Sequence, residues 1–202
     1  MKYTGPKVKL SRRLGIPLTN KAARVMERKP YPPGQHGPAK QFRRGRQSAF
    51  ERQLLEKQRL RAQYNIHEKQ MSNYYKKAVA KQGNTADILI QLLETRLDAF
   101  VLRAGFAPTI YAARQIVSHG HMEVNGKPVN IASYQLQEGD QVSVRNKSRR
   151  IEVLVQSIAN AAPPDYISMD KNAMTAQMLY APRRVEVPIV CEVPQVIEYY
   201  SR

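Results

Sequence analysis

The sequence predicts an α+β protein: a basic, extended N-terminal segment, a small helical domain, and an α+β module of two short helices on a small, mostly antiparallel sheet. Three observations predict it. Residues 1–61 carry 17 Lys or Arg against 3 acids, and residues 62–202 carry 16 against 13, so the net charge of +17 is concentrated at the front. Stretches of good helix formers with cap signals run from Ser48 to Glu94. From His121 the chain changes to short apolar runs separated by Asn-Gly and Gly-Asp turns.

Residues 1–46 read as an irregular basic extension, because Pro, Gly and cations recur there, densest at Tyr31-Pro32-Pro33-Gly34-Gln35-His36-Gly37. Such a segment is expected to become ordered by wrapping around a partner. Residues 47–94 read as a helical domain. Ser48 and Glu51 form a capping box, and Phe50, Leu54, Leu60 and Tyr64 give an incomplete apolar stripe. A second helix is predicted over His67–Gln82, with Met71, Tyr74, Tyr75, Ala78 and Val79 on one face and Gly83 closing it. Asn84 or Thr85 opens a third, with Ile88, Leu89, Leu92 and Leu93 facing inward.

Residues 95–179 read as the α+β module. Thr95 and Asp98 resemble another capping box, for a short helix that ends at Gly105. Pro108 and Thr109 open a helix closed by Gly120. His121–Val124, the Asn125-Gly126 turn and Lys127-Pro128-Val129 read as a hairpin, and Gln141–Arg145 alternates as a half-buried strand does. Ile151–Ala159 is compatible with a helix, and Pro163-Pro164 with a loop. The tail holding Val185, Val187, Val190 and Val193 is rich in Val and Pro and reads as extended chain. Residues 180–202 are expected to rejoin the helical domain through Val196, Ile197 and Tyr199.

The bulk numbers narrow the functional classes. An apolar fraction of 42% supports a real core. No apolar run reaches membrane-spanning length, and Met1–Leu10 is basic without the apolar centre of a signal peptide. A lone cysteine, Cys191, rules out a disulfide framework, and with four scattered His no structural zinc site and no cofactor are expected. A soluble protein in a reducing compartment is expected. The front third repels itself and needs a polyanion, for which nucleic acid is the commonest choice.

Four groups of residues carry that expectation. Arg43, Arg44 and Arg46, with Arg52, Lys57, Arg59 and Arg61 on the next helix, suit phosphate contact, against the alternative of a solvated helix face with local ion pairs. Arg114, Gln115, Ser118 and His119 share an expected exposed side of their helix while Ala113, Ile116 and Val117 pack inward. The competing reading there is a plain C-cap, a turn and a surface histidine. Gln35 and His36 suit a hydrogen bond to RNA or a structural turn, since His36 has no neighbour at metal-ligand spacing. Tyr75, Lys76 and Lys77 pair an aromatic with cations, a combination that stacks on bases and holds phosphates, with core packing of a tyrosine as the alternative.

Several stretches together resemble a known family. They are Tyr3–Pro6, Met26–Gly37, Gln53–Arg61, Asn73–Tyr75, Leu93–Asp98, Ala113–His121, Val124–Gly126, Asn130–Tyr134 and Tyr199–Arg202. The chain resembles the family of the fourth protein of the small ribosomal subunit, of bacterial or plastid type. The resemblance implies a non-enzymatic structural ribosomal protein. It would bind a helical junction in the 5′ domain of small-subunit rRNA, nucleate assembly of the subunit body and contribute to translational accuracy. It implies contact with small-subunit protein five and neighbouring proteins, messenger RNA as a further partner, and a cytoplasmic or plastid ribosomal location. Arg12, Arg13, Arg96, Asn125 and Lys127 join the residues above in the expected rRNA-contact set. Many relatives bind zinc through four N-terminal cysteines, and here the matching places read Val8, Ser11 and Arg24, which implies a zinc-free form.

Three alternatives stand beside this one. Arg96-Leu97-Asp98 imitates a motif of pseudouridine synthases, but no large catalytic domain follows it. A free regulatory RNA-binding protein and a DNA-compacting protein share the charge pattern.

Overall fold

The computed structural model describes residues 3–42 and 48–201. They fall into two compact units, Met1–Lys76 with Ile189–Arg202, and Lys77–Pro188.

The first unit is helical from near its start. Helices α1 (Lys7–Leu14), α2 (Asn20–Arg28) and α3 (Gly37–Phe42) replace the irregular chain expected before residue 46. The reason is local. Gly15 adopts a left-handed conformation at the end of α1, and its amide donates to Ser11 O. Thr19 then caps α2 by accepting from the amide of Ala22 at 3.2 Å. Leu14, Ile16 and Ala22 are buried, so the helix pair has an apolar seam despite its charge. The Pro-Gly stretch 30–37 does turn. A Cβ on Gly37 would strike the carbonyl oxygen of Pro32, so only glycine fits.

Helix α4 (Ala49–Gln63) opens as its sequence predicts. Ser48 Oγ accepts from the Glu51 amide at 3.1 Å, and the Glu51 carboxylate accepts from the Ser48 amide at 3.3 Å. Its buried face is mostly polar, made of Gln53, Glu56, Lys57 and Leu60, whereas Phe50 of the expected apolar stripe is 48% exposed. Helix α5 (Glu68–Val79) follows. The C-terminal helix α10 (Val193–Tyr200) lies along α4 and buries Val193 and Val196.

The second unit holds α6 (Thr85–Glu94), α7 (Leu97–Arg103) and α8 (Ile110–Ser118), then β1 (Met122–Val124), β2 (Lys127–Pro128) and β3 (Gln141–Val144). Helix α9 (Glu152–Ala159), β4 (Ile167–Asp170) and β5 (Thr175–Met178) complete it. The sheet order is β2-β1-β3-β5-β4, with every pairing antiparallel. The β1–β2 hairpin turns at Asn125 and Gly126, at φ of 50° and 75°, the double left-handed turn that Asn-Gly favours. Alternation sends Met122, Val124, Val142, Val144, Ala176 and Met178 to one face, where Phe100, Val117, Leu154 and Tyr166 cover them.

Three expectations change here. Beyond the Pro163-Pro164 loop, where no element was expected, lie β4 and β5, joined by a turn in which Asp170 accepts from the amides of Asn172 and Ala173. Helix α6 and residues 180–188, expected with the helical domain, belong to the second unit. Thr95 and Asp98 form no capping box. Thr95 instead ends α6, its hydroxyl donating to Gln91 O at 2.8 Å, and Asp98 is occupied elsewhere.

Candidate nucleic-acid interface

Two acids of the first unit, Glu56 and Glu68, are paired with cations inside it. Glu56, almost buried, accepts from Arg59 at 2.6 Å and from the amide of Glu192 at 2.9 Å. Glu68 takes Lys57 at 3.1 Å, Arg61 at 3.3 Å and the hydroxyl of Tyr200 at 2.6 Å. Partial burial pushes the Glu68 carboxyl up, but Tyr200 and Lys57 outweigh it, and its pKa lies below the ordinary value. Lys57 also sits over the rings of Tyr199 and Tyr200, 4.1 and 5.9 Å from their centroids.

This arrangement corrects the expected contact set. Lys57 is only 4% exposed and ties α4 to α10, so it is no phosphate contact in this conformation. Arg59 is drawn inward too, its Nε donating to Leu14 O at 2.8 Å. Arg12 donates to the carbonyls of Tyr31 and Pro32 at 3.1 and 3.3 Å and stacks on the Tyr31 ring. Arg12 thus shapes the loop on which Gln35 and His36 stand exposed. Tyr75 stacks on Tyr200 at 5.1 Å, the packing role, while Lys76 and Lys77 are exposed.

Arg13 and Arg52 face solvent as expected. Arg13 and Arg61 are brought together on an open cleft of about 580 Å³, beside Leu54, Leu55 and Gln58. Arg43, Arg44 and Arg46 lie outside the described residues. Helix α2 adds cations that sequence reading missed: Lys21, Arg24 and Arg28, spaced three and four residues apart on one exposed stripe. Thr19 before a run of Ala, Met and Glu was the available signal.

Val8 offers no ligand atom and Arg24 is a cation. Ser11 is fully buried, its Oγ accepting from the Leu18 amide at 3.2 Å. These residues do not fit a tetrahedral thiolate site. Among the described residues no cluster of His, Cys, Asp or Glu could hold a metal ion.

In the second unit, Asp98 is an ionic hub with its side chain wholly buried. Arg96 embraces it with Nε and Nη2 at 2.9 and 2.8 Å, and Arg114 reaches it with Nε and Nη2 at 2.9 and 2.6 Å. Two expected contacts are therefore corrected. Arg96 is 1% exposed and Arg114 8%, both turned inward because a buried carboxylate must be neutralised. Arg114 is buried although it shares α8 with Gln115, Ser118 and His119, and those three are exposed as expected. Lys127 is exposed, and so is Asn125, whose amide bridges Asp140 and the Gln141 amide across the turn.

Beside that face lies a second group, Arg145, Lys147, Arg149 and Arg150, of which all but the half-buried Arg145 are exposed. Its signal was four cations within six residues without an acid. Arg145 donates to Gly120 O at 3.2 Å and meets Glu123 at 3.4 Å, locking the turn after α8. His121 contacts Ser148 Oγ through Nδ1 at 2.9 Å.

Each unit thus pairs some of its acids internally while leaving a group of cations exposed. The fold and these faces define an α+β nucleic-acid-binding protein. Comparison with known proteins identifies the family. Residues 2–94 match the ribosomal protein S4/S9 N-terminal domain, and residues 95–142 the S4 domain. The chain is 47% identical to the small ribosomal subunit protein uS4 of Chlorobaculum tepidum, over 100% of this chain and 99% of that one. It is 44% identical to that of Thermobifida fusca, with 100% of both covered, and 46% identical to that of Micrococcus luteus over 96% of this chain and 95% of that one. The chain belongs to the uS4 family of ribosomal proteins, which are not enzymes.

Proposed function

We propose that this protein is a structural constituent of the small ribosomal subunit that binds small-subunit rRNA directly, at a helical junction in the 5′ domain. One observation supports this most. Glu56 and Glu68 are consumed by internal partners, while Arg13, Lys21, Arg24, Arg28 and Arg52 face solvent. Two acids paired within the fold beside five exposed cations leave a positively charged surface that suits phosphate. Lys and Arg neutralise RNA helices that repel one another, and rigid protein faces select the junction whose shape they fit.

The same reading assigns the protein an early place in assembly of the subunit body and a contribution to translational accuracy. It gives small-subunit protein five and the neighbouring proteins as partners, messenger RNA as a further one, and ribosomes of the cytoplasm or plastid stroma as its location. Arg43, Arg44 and Arg46, next to the capped start of α4, are proposed phosphate contacts.

The test is binding of the purified chain to a 5′-domain rRNA transcript across a salt series. Tight binding that weakens steeply with salt is expected, with a shallower slope after Arg43, Arg44 and Arg46 are changed together to Ala. Equal affinity for random duplex DNA would overturn the RNA reading. An unchanged slope would remove these three arginines from the interface.

A further inference from the structure

We propose that His119, His121, Arg145 and Lys147 form a phosphate subsite that takes up a proton when it is filled, so that RNA binding through the second unit is coupled to pH. This rests on the RNA-binding function proposed above and adds a proton to it.

The geometry is compact. Helix α8 ends at Ser118, and His119 and His121 flank Gly120 in the turn that leads into β1. Their rings approach edge to face, 6.0 Å apart between centroids. The 3-10 turn Asn146–Ser148 closes over the same place. Arg145 N donates to His121 O at 2.9 Å, and Ser148 N donates to Arg145 O at 2.8 Å. Ser148, almost fully buried, fixes the His121 ring through the 2.9 Å contact between its Oγ and Nδ1. The imidazole is therefore oriented by a group with no charge of its own. Arg145 donates to Gly120 O, which covers one of the carbonyls that would otherwise repel an anion at the end of α8.

The charges facing His121 are His119 from the end of α8 and Arg145 and Lys147 from the following turn. Glu123, the nearby carboxylate on β1, is engaged by Arg145 at 3.4 Å. Burial first, and then His119, Lys147 and Arg145, hold the His121 pKa below its ordinary value. The free protein thus keeps a neutral imidazole among cations at neutral pH. A phosphate placed among them reverses the local field and favours the imidazolium, which then adds a charge-assisted donor to the bound oxygen. Because the filled site holds more protons than the empty one, affinity rises as pH falls. One linked proton gives at most about tenfold per pH unit, between the filled and empty pKa values of the ring.

Two measurements on the full chain test this. Calorimetry with the 5′-domain transcript, in two buffers of different ionisation enthalpy at pH 6.5, reads proton uptake directly. Uptake is expected, and the affinity ratio between pH 6 and pH 8 should fall toward one in His121→Asn, whose amide can still meet Ser148. Rings of the wild-type protein followed by NMR during a pH titration, with and without inorganic phosphate, should show the His121 midpoint moving up with phosphate. Binding of rRNA without proton uptake, or with the same pH ratio in His121→Asn, overturns the subsite and leaves the RNA function standing. A phosphate-dependent shift of His121 in a protein that ignores rRNA would support the subsite and overturn the RNA function instead. A His121 midpoint unmoved by phosphate counts against the subsite whatever the RNA does.

Discussion

The two units keep buried charge in different ways. In Lys77–Pro188 two of the ion-paired carboxylates are dry. Glu94 and Asp98 have side chains with no exposure, and each is held by guanidinium groups, Arg103 on one and Arg96 with Arg114 on the other. Tyr166 adds its hydroxyl to Glu94, and burial with that carboxylate beside it pushes the phenol well above its usual pKa. These groups sit at the margin of a large apolar core. In the first unit the central acid, Glu68, is 44% exposed, and what surrounds it is a ring of cations and tyrosines between α4, α5 and α10. A dry ion pair is costly to break because the survivor has no water to turn to, whereas a wet one is worth little. The comparison teaches where this protein is brittle. Its sheet unit is specified by fixed ionic geometry, and its helical unit by a short C-terminal helix and screened charge.

Substitutions sharpen that contrast, beginning with the largest effect. Asp98→Asn removes the carboxylate that Arg96 and Arg114 share and should destabilise the second unit by about 3–5 kcal/mol, seen as an earlier denaturant midpoint for that unit. A loss below about 1 kcal/mol would mean that the triad is not dry. Arg114→Ala should likewise destabilise the unit, so weaker RNA binding by that variant would report stability before contact. Val196→Ala, at a site with no exposure on α10, should cost about 2 kcal/mol and release α4 amides to hydrogen exchange while the second unit stays protected. Exchange spreading evenly through both units would break the comparison.

Glu68→Gln should cost less than about 1 kcal/mol, because solvent screens this group. The effect should depend on pH with a definite sign. The folded pKa of Glu68 lies below its ordinary value of 4.5, so its contribution is complete above 4.5 and disappears as pH falls through the folded pKa. Wild type and variant should therefore differ near neutrality and converge in acid; a gap that widens in acid would contradict this. The smallest expected effect on stability comes from Lys147, Arg149 and Arg150 changed together to Ala. Unfolding should move by no more than about 0.5 kcal/mol. The salt slope of RNA binding should nevertheless fall by up to about 0.9 for each duplex phosphate that these cations neutralise.

Where local chemistry decided the outcome, the sequence was legible. The Ser48 capping box, Thr109 and Asn84 as helix starts, the Asn125-Gly126 hairpin and the alternation of β3 all appear as read, because each depends on atoms within a few residues. The front segment was misread because its Pro, Gly and charge concealed Thr19 and the buried trio Leu14, Ile16 and Ala22. Strands β4 and β5 were missed because each spans only four residues, too short for the apolar-polar alternation of Ile167–Asp170 and Thr175–Met178 to stand out, and because the pairing of β5 with β3 is set by partners distant in sequence. Among the expected contacts, Gln115, Ser118, His119 and Lys127 are exposed, while Arg96, Arg114 and Lys57 are buried. An arginine has the same letter whether it faces water or a carboxylate. Only the partner distinguishes the cases, and Asp98 lies 16 residues from Arg114, Glu68 11 from Lys57.

By itself, the sequence determined the excess of cations, the caps and turns that divide the chain, and the α+β class, since these follow from residue identity and near neighbours. Tertiary structure alone decided which cations remain at the surface. Burying a carboxylate demands a cation at hydrogen-bond distance, and folding settles which one arrives.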